Sequence, residues 1–167
     1  SDNMTWPGSF LLIGEMLYNQ HADLEVIKKN YASMKKWLFY MKDRYMDDDF
    51  IITKDSYGDW CNPPKNIEDE RGRSANVKRP SELISTTYFY HFMEIMQRFA
   101  ELTGNNSDIQ EYKSIAQNVH QGFNKRFLNK AKTHYGDSSL TEQLLPMYFK
   151  LIPQEYKNKI FKTIEHI

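Results

Sequence analysis

Leu24-Glu25-Val26-Ile27-Lys28-Lys29-Asn30-Tyr31-Ala32-Ser33-Met34-Lys35-Lys36-Trp37-Leu38-Phe39-Tyr40-Met41-Lys42-Asp43-Arg44-Tyr45 is the stretch that decides the fold class. Leu24, Ile27, Tyr31, Met34, Leu38, Met41 and Tyr45 advance by alternating steps of three and four, laying one continuous apolar stripe along a helix. Lys28, Lys29, Lys35, Lys36 and Lys42 fall mostly off the stripe and read as a solvated face. The spacing would also suit a coiled coil. It lasts for only about three heptads and carries large aromatics, so it predicts a packed antiparallel helix pair.

Working outward, the same period recurs on both sides. Upstream, Thr5-Trp6-Pro7-Gly8-Ser9 reads as a turn, with Ser9 as N-cap of a helix from Phe10 to Gln20. That helix is apolar around much of its girth, which suits burial between neighbours. Asp23 can cap the striped helix. Downstream, Ser81 opens a third helix whose apolar side carries Leu83, Ile84, Tyr88, His91, Phe92, Ile95, Met96, Phe99 and Leu102, closed by Gly104. His91 reads as a hydrogen-bonded core histidine, because no second ligand stands at metal spacing. Ser107 with Gln110, and Ser139 with Glu142, form capping boxes for two more helices. Pro146 should kink or shorten the second of these, and Pro153 suits the first turn of a last helix to Ile167. The expectation is an all-α chain of about six helices in antiparallel pairs, with no repeat at fixed period.

Composition narrows the function classes. The chain has 167 residues, zero formal net charge, 40% hydrophobic and 14% aromatic residues, and one cysteine. That length can bury one sizeable core. Without a basic stripe, nucleic acid is not the expected partner. No apolar run is long enough for a membrane span, and no secretory signal is legible. A single cysteine excludes an internal disulfide and a cysteine-based zinc site. Asp47-Asp48-Asp49 lacks the further ligands and glycine of a calcium loop, so it reads as a solvated helix end. No metal and no cofactor are expected. The start at Ser1, without Met, looks like an artificial boundary or a processed end; the last helix stops without a C-terminal signal, as if cut from something longer.

Between the second and third helices the pattern is lost. Lys54-Asp55-Ser56-Tyr57-Gly58-Asp59-Trp60-Cys61-Asn62-Pro63-Pro64 carries more than a connector needs. Gly58, Asn62 and the proline pair are turn formers, but a tryptophan beside an aspartate is not turn chemistry. A sugar ring stacks on such an aromatic face while the carboxylate accepts from its hydroxyls. The plainer alternative is a loop pinned to the core by Trp60, with Asp59 forming a turn. Lys65 to Pro80 is a long, highly charged excursion, and loops of this length are often functional.

The ordered series of motifs resembles the catalytic helical domain of bacterial α-L-rhamnosidases. Thr5-Trp6-Pro7-Gly8-Ser9, Leu17-Tyr18, Asp23 and Tyr31-Ala32-Ser33-Met34-Lys35-Lys36-Trp37 resemble its start. Tyr57-Gly58-Asp59-Trp60-Cys61-Asn62-Pro63-Pro64 is similar to the family's Gly-Asp-Trp loop, and Leu83-Ile84-Ser85-Thr86-Thr87-Tyr88-Phe89-Tyr90 to the helix after it. Phe123-Asn124, Phe127-Leu128, Tyr135-Gly136 and Thr141 to Pro146 follow in order. The resemblance implies roughly half of an (α/α)₆ toroid, residues 1–167 being one segment of a catalytic domain. It also implies hydrolysis of terminal α-L-rhamnose with inversion, by two carboxyl groups roughly 6.5–9.5 Å apart. The family's acid lies in an acidic, arginine-bearing motif before this region and its base in a Trp-Glu motif after it, so no catalytic residue is expected in the chain. What carries over is part of the sugar pocket: Trp60, Asp59, Trp6 and, more weakly, Tyr57. The family's commoner Trp-Gly-Asp is replaced here by Trp6-Pro7-Gly8, which removes a carboxylate contact.

The implied partner is a rhamnose-containing glycan or glycoside. Half a toroid would leave apolar faces uncovered, so self-association is expected. The family's frequent action on imported or extracellular plant polysaccharide points to the periplasm or cell exterior. Two other readings stand beside this one. One is a non-catalytic helical carbohydrate-binding or protein-interaction domain; the other is a different helical-barrel enzyme.

Overall fold

The computed structural model describes residues 2–59 and 81–166. Among them the chain is all-α: α1 (Thr5–His21), α2 (Glu25–Tyr45), α3 (Glu82–Thr103), α4 (Asn106–Phe127), α5 (Leu140–Tyr148) and α6 (Lys157–Ile164), with one 3₁₀ turn (Gln154–Tyr156) before α6. The charged excursion after Lys65 lies outside the described residues.

The stripe on α2 is the buried face: Ile27, Tyr31, Met34, Leu38 and Met41 are all buried. Its Tyr31 hydroxyl donates to Asp108 Oδ2 at 2.9 Å and lies 3.2 Å from the Tyr112 hydroxyl. Burial first, and those bonds with it, hold the Tyr31 phenol well above its ordinary pKa. Asp23, one residue before the N-cap Leu24, accepts from the Glu25 amide at 2.9 Å.

α3 is the central element. Its packed residues, including Phe89, Phe92, Met93, Ile95, Met96 and Phe99, face α1, α2 and α4 together. Ser81 caps it by accepting from Ile84 N, and Gly104 closes it with φ +77°, a left-handed conformation that costs glycine nothing. Two interior glycines make room for a close neighbour. Gly8 of α1 lies against the Phe92 ring, and Gly122 of α4 against the Asp49 carbonyl.

Three local expectations are corrected. α1 begins at Thr5 rather than Phe10. Its first-turn amides at Thr5 and Trp6 donate to Asn3 Oδ1 (2.9 and 3.1 Å), so Asn3, not Ser9, caps it. Pro7 sits within the first turn, where its missing N–H costs no helical bond. The Ser107–Gln110 box does not form: α4 starts at Asn106 with no side-chain cap. Asp108 is instead drawn to Lys35 (2.8 Å) and Tyr31, and these contacts hold its carboxyl below the usual range. His91 makes no hydrogen bond among the described residues. Its ring stacks on Phe149 at 4.2 Å, and burial pushes its pKa down to about 4. Glu15 lies 4.0 Å away, but that carboxylate is already held by Arg98 at 3.1 Å.

Of the later landmarks the Ser139 cap holds, whereas Pro153 does not open the last helix: it precedes the 3₁₀ turn Gln154–Tyr156, and α6 runs only over Lys157–Ile164. Ser139 accepts from Glu142 N, and α5 is a short helix containing Pro146. Gln143, fully buried, ties the Tyr135 backbone at both N (2.8 Å) and O (2.9 Å). Asp47 shapes the turn after α2 by accepting from the Asp49 and Ile51 amides, and pairs with Arg126. None of the described helices is long and apolar enough to cross a membrane. Among the described residues no histidine, cysteine or carboxylate cluster could hold a metal.

Candidate functional site

The candidate site forms where three pieces of chain meet: the lead-in at Asp2–Met4, the segment Ile52–Asp59, and the N-terminus of α3. The lead-in is tied to the end of α2 through Asp2, which accepts from the Tyr40 hydroxyl at 2.8 Å and the Tyr45 hydroxyl at 2.5 Å. Those bonds hold the Asp2 carboxyl below its ordinary range. The second segment is sewn to α3 by hydroxyls from that helix's first two turns. Thr86 Oγ accepts from Ile52 N at 3.0 Å, and Ser85 Oγ donates to the Lys54 carbonyl at 2.8 Å. This explains the polar run Ser85-Thr86-Thr87 on an otherwise apolar helix: all three are buried and at work on backbone.

At the centre is Asp55, 6% exposed. Its Oδ2 accepts from Gly58 N (2.8 Å) and Ser81 N (2.7 Å). Its Oδ1 accepts from Tyr57 N (3.1 Å) and, at 3.4 Å, from Asn3 Nδ2. Asn3 in turn caps α1.

Three of the four residues expected at the sugar site can be placed. Trp6 is 64% exposed and Tyr57 49% exposed; their rings meet edge to face at 6.3 Å. Two large aromatics left open side by side need a reason, because covering either would gain a few kcal/mol of apolar burial. Asp59 is half-buried, and its Oδ2 is buried with no hydrogen-bond partner among the described residues. A buried carboxylate oxygen without a donor is costly unless a ligand hydroxyl supplies one. Trp60 lies outside the described residues. Sequence reading missed Asp55 and Asn3, whose importance rests on a contact across 52 positions of chain.

A separate groove of about 540 Å³ runs between α3 and α4, lined by Tyr90, Glu94, Gln97, Lys113, Gln117 and His120 among others. It shares no residue with the aromatic pair. The Tyr90 hydroxyl donates to Glu94 at 3.0 Å, and burial raises the Glu94 pKa.

Comparison with known proteins places this all-α chain among helical-hairpin glycosidase domains. The model of the bacterial alpha-L-rhamnosidase 6 hairpin glycosidase domain matches residues 1–166, and the chain belongs to that family. An alpha-L-rhamnosidase of Formosa agariphila is 25% identical over 152 residues, covering 91% of this chain and 16% of that protein. The structure of an alpha-L-rhamnosidase from Dictyoglumus thermophilum superposes with a TM-score of 0.81 at 29% identity, over 98% of this chain and 18% of that one. A Streptomyces avermitilis alpha-L-rhamnosidase, solved in complex with L-rhamnose, shares the fold with a TM-score of 0.82 at 19% identity, over 99% of this chain and 14% of that one. The chain thus spans less than a fifth of the length of each of these relatives.

Proposed function

We propose that residues 1–167 form one segment of the catalytic domain of a glycosidase that removes terminal α-L-rhamnose with inversion. In this reading the segment walls the sugar subsite and contributes neither catalytic carboxyl group. Trp6 and Tyr57 offer the ring a stacking surface, Asp59 accepts from its hydroxyls, and Trp60 completes the platform. Family membership supports the reaction class. The observation that carries the site is the open Trp6–Tyr57 pair, with Asp59 two residues beyond Tyr57 and its Oδ2 buried with no hydrogen-bond partner among the described residues.

The test uses the full-length protein and an aryl α-L-rhamnoside. Trp6→Ala and Asp59→Asn should each lower kcat/KM by about tenfold or more, since losing one stacking or charge-assisted contact removes on the order of 1.4 kcal/mol. Proton NMR of the first-formed sugar should show the anomer opposite to the substrate's. Unchanged kcat/KM in both variants would remove these residues from the site. L-Rhamnose binding with no hydrolysis would leave the non-catalytic binding domain in its place.

A further inference from the structure

We infer that Asp55 is the positioning residue of this site, a single carboxylate that sets the two aromatic walls relative to each other; the inference rests on the sugar-site reading just proposed. Trp6 and Tyr57 stand on different elements, the first turn of α1 and the segment before α3. Nothing in their own contact, an edge-to-face approach at 6.3 Å, would hold so exposed a pair in register. Both trace back to Asp55. One carboxylate oxygen reaches Tyr57 N directly and Trp6 through Asn3, whose side chain donates to Asp55 and accepts from the Thr5 and Trp6 amides. The other oxygen fixes Gly58, adjacent to Asp59, to the start of α3 through Ser81 N. Four donors converge on one buried side chain. Three of them are backbone amides, so what the carboxylate orders is the path of the chain.

The chemistry calls for a carboxylate. Asparagine offers one acceptor oxygen and turns an amide NH₂ toward the other pair of donors, so Asp55→Asn keeps two bonds and opposes two. Alanine loses all four. Because Asp55 is enclosed beneath Gly58 and Ser81, it touches no sugar and acts through its neighbours.

Residue-level hydrogen–deuterium exchange on the full-length protein tests the clamp without a ligand. In Asp55→Ala, exchange should accelerate about tenfold or more at Tyr57, Gly58, Ser81, Thr5 and Trp6, while the buried stretch of α4 around Val119 and Phe123 stays at the wild-type rate. Asn3→Ala should accelerate Thr5 and Trp6 alone. Should the alanine variant fail to fold, Asp55→Asn decides: one pair, Tyr57 with Trp6 or Gly58 with Ser81, accelerates and the other does not. Wild-type rates throughout Asp55→Asn, or no change at Thr5 and Trp6 in a folded Asp55→Ala, overturns the inference. L-Rhamnose titration by calorimetry then connects clamp to site. Asp55→Asn and Asn3→Ala should each weaken binding at least about fivefold. If they loosen the amides yet bind like wild type, the clamp does not serve the site. If the wild-type protein binds no L-rhamnose, the sugar reading fails while exchange still decides the clamp.

Discussion

Replacing Gly122 with alanine should destabilise the fold, although the same change in an ordinary helix interior stabilises it. Alanine outranks glycine by about 1 kcal/mol in helix propensity, so α4 gains that much locally. Against this, a Cβ on Gly122 would stand 1.9 Å from the Asp49 carbonyl oxygen and 3.1 Å from its carbon. The turn would have to withdraw by roughly 1.5 Å to reach ordinary contact. It is poorly able to do so. Asp47 N donates to Ile51 O at 3.0 Å, Phe50 N to Asp47 O at 3.0 Å, and Thr53 N to Tyr45 O at 2.9 Å. Phe50 already sits at φ +62°, and Ile51 and Ile52 are fully buried just beyond it. Overpacking of this kind costs about 1–3 kcal/mol, and here the obstacle is backbone rather than a side chain that can swing away, so the upper end applies. The net expectation is a loss of about 2 kcal/mol. Gly14 provides the control. Its added Cβ would meet Met34 Cε at 3.4 Å and Phe99 Cζ at 3.5 Å, ordinary contacts, so Gly14→Ala should stabilise by roughly 0.5–1 kcal/mol. Urea unfolding followed by far-UV circular dichroism, with midpoints compared at equal m, gives both values. Two shifts of the same sign would refute the reasoning, since chemistry and helical context are matched and only the approach distance differs.

Two further expectations follow from the same packing. His91 has its pKa pushed down to about 4 by burial, against an ordinary 6.5, so the unfolded chain binds the extra proton first. Its contribution is complete above pH 6.5 and is lost as pH falls toward 4, a drop on the order of 3 kcal/mol. His91→Phe, which keeps the stack on Phe149, should flatten that part of the stability–pH curve, measured as the wild-type-minus-variant difference in urea midpoint from pH 7.5 to 4.5; equal slopes would refute the assignment. The isolated 167-residue chain should self-associate through the exposed apolar residues Ile13 and Met16 of α1 and Leu144 and Tyr148 of α5. Sedimentation velocity should show mass rising with concentration, and a monomer across the accessible range would count against these faces as sticky surfaces.

What was legible in the sequence was what neighbouring residues settle among themselves. The α2 stripe, the Ser81 and Ser139 caps and the Gly104 stop each depend on partners within a turn or so, and each is found. Errors arose at helix starts, where a shift of a few residues changes which side chain can cap. α4 begins at Asn106, which puts Ser107 inside the helix rather than at its cap, and α1 begins at Thr5 with Asn3 as the acceptor. Thr5 to Ser9 read as a turn because Pro7 and Gly8 usually break helices. Proline is harmless in a first turn, and Gly8 is there because Phe92 leaves no room for a side chain. Of the proposed site, Tyr57 and Asp59 stood out as more than a connector needs, and Trp6 entered through the family resemblance. Their scaffold did not stand out, since nothing local distinguishes Asp55 from any other loop aspartate.

That asymmetry bears on how the site is built. Residues that would touch a sugar are exposed or half-buried and have few partners of their own, so their geometry has to come from elsewhere. Asn3, Asp55 and Ser81, with Ser85 and Thr86, are all buried or nearly so and spend their polar atoms on backbone. A satisfied buried network of this kind is rigid, because breaking any one bond strands a donor away from water. The open aromatic pair therefore rides on a closed polar layer, itself anchored on α3, the most deeply packed helix of the chain. Substitutions in the pair should change affinity with little effect on stability, whereas substitutions in the layer should change both. A binding site whose walls come from two separate stretches of sequence needs such a shared anchor, and a carboxylate with two oxygens facing two directions is the smallest group that can supply one.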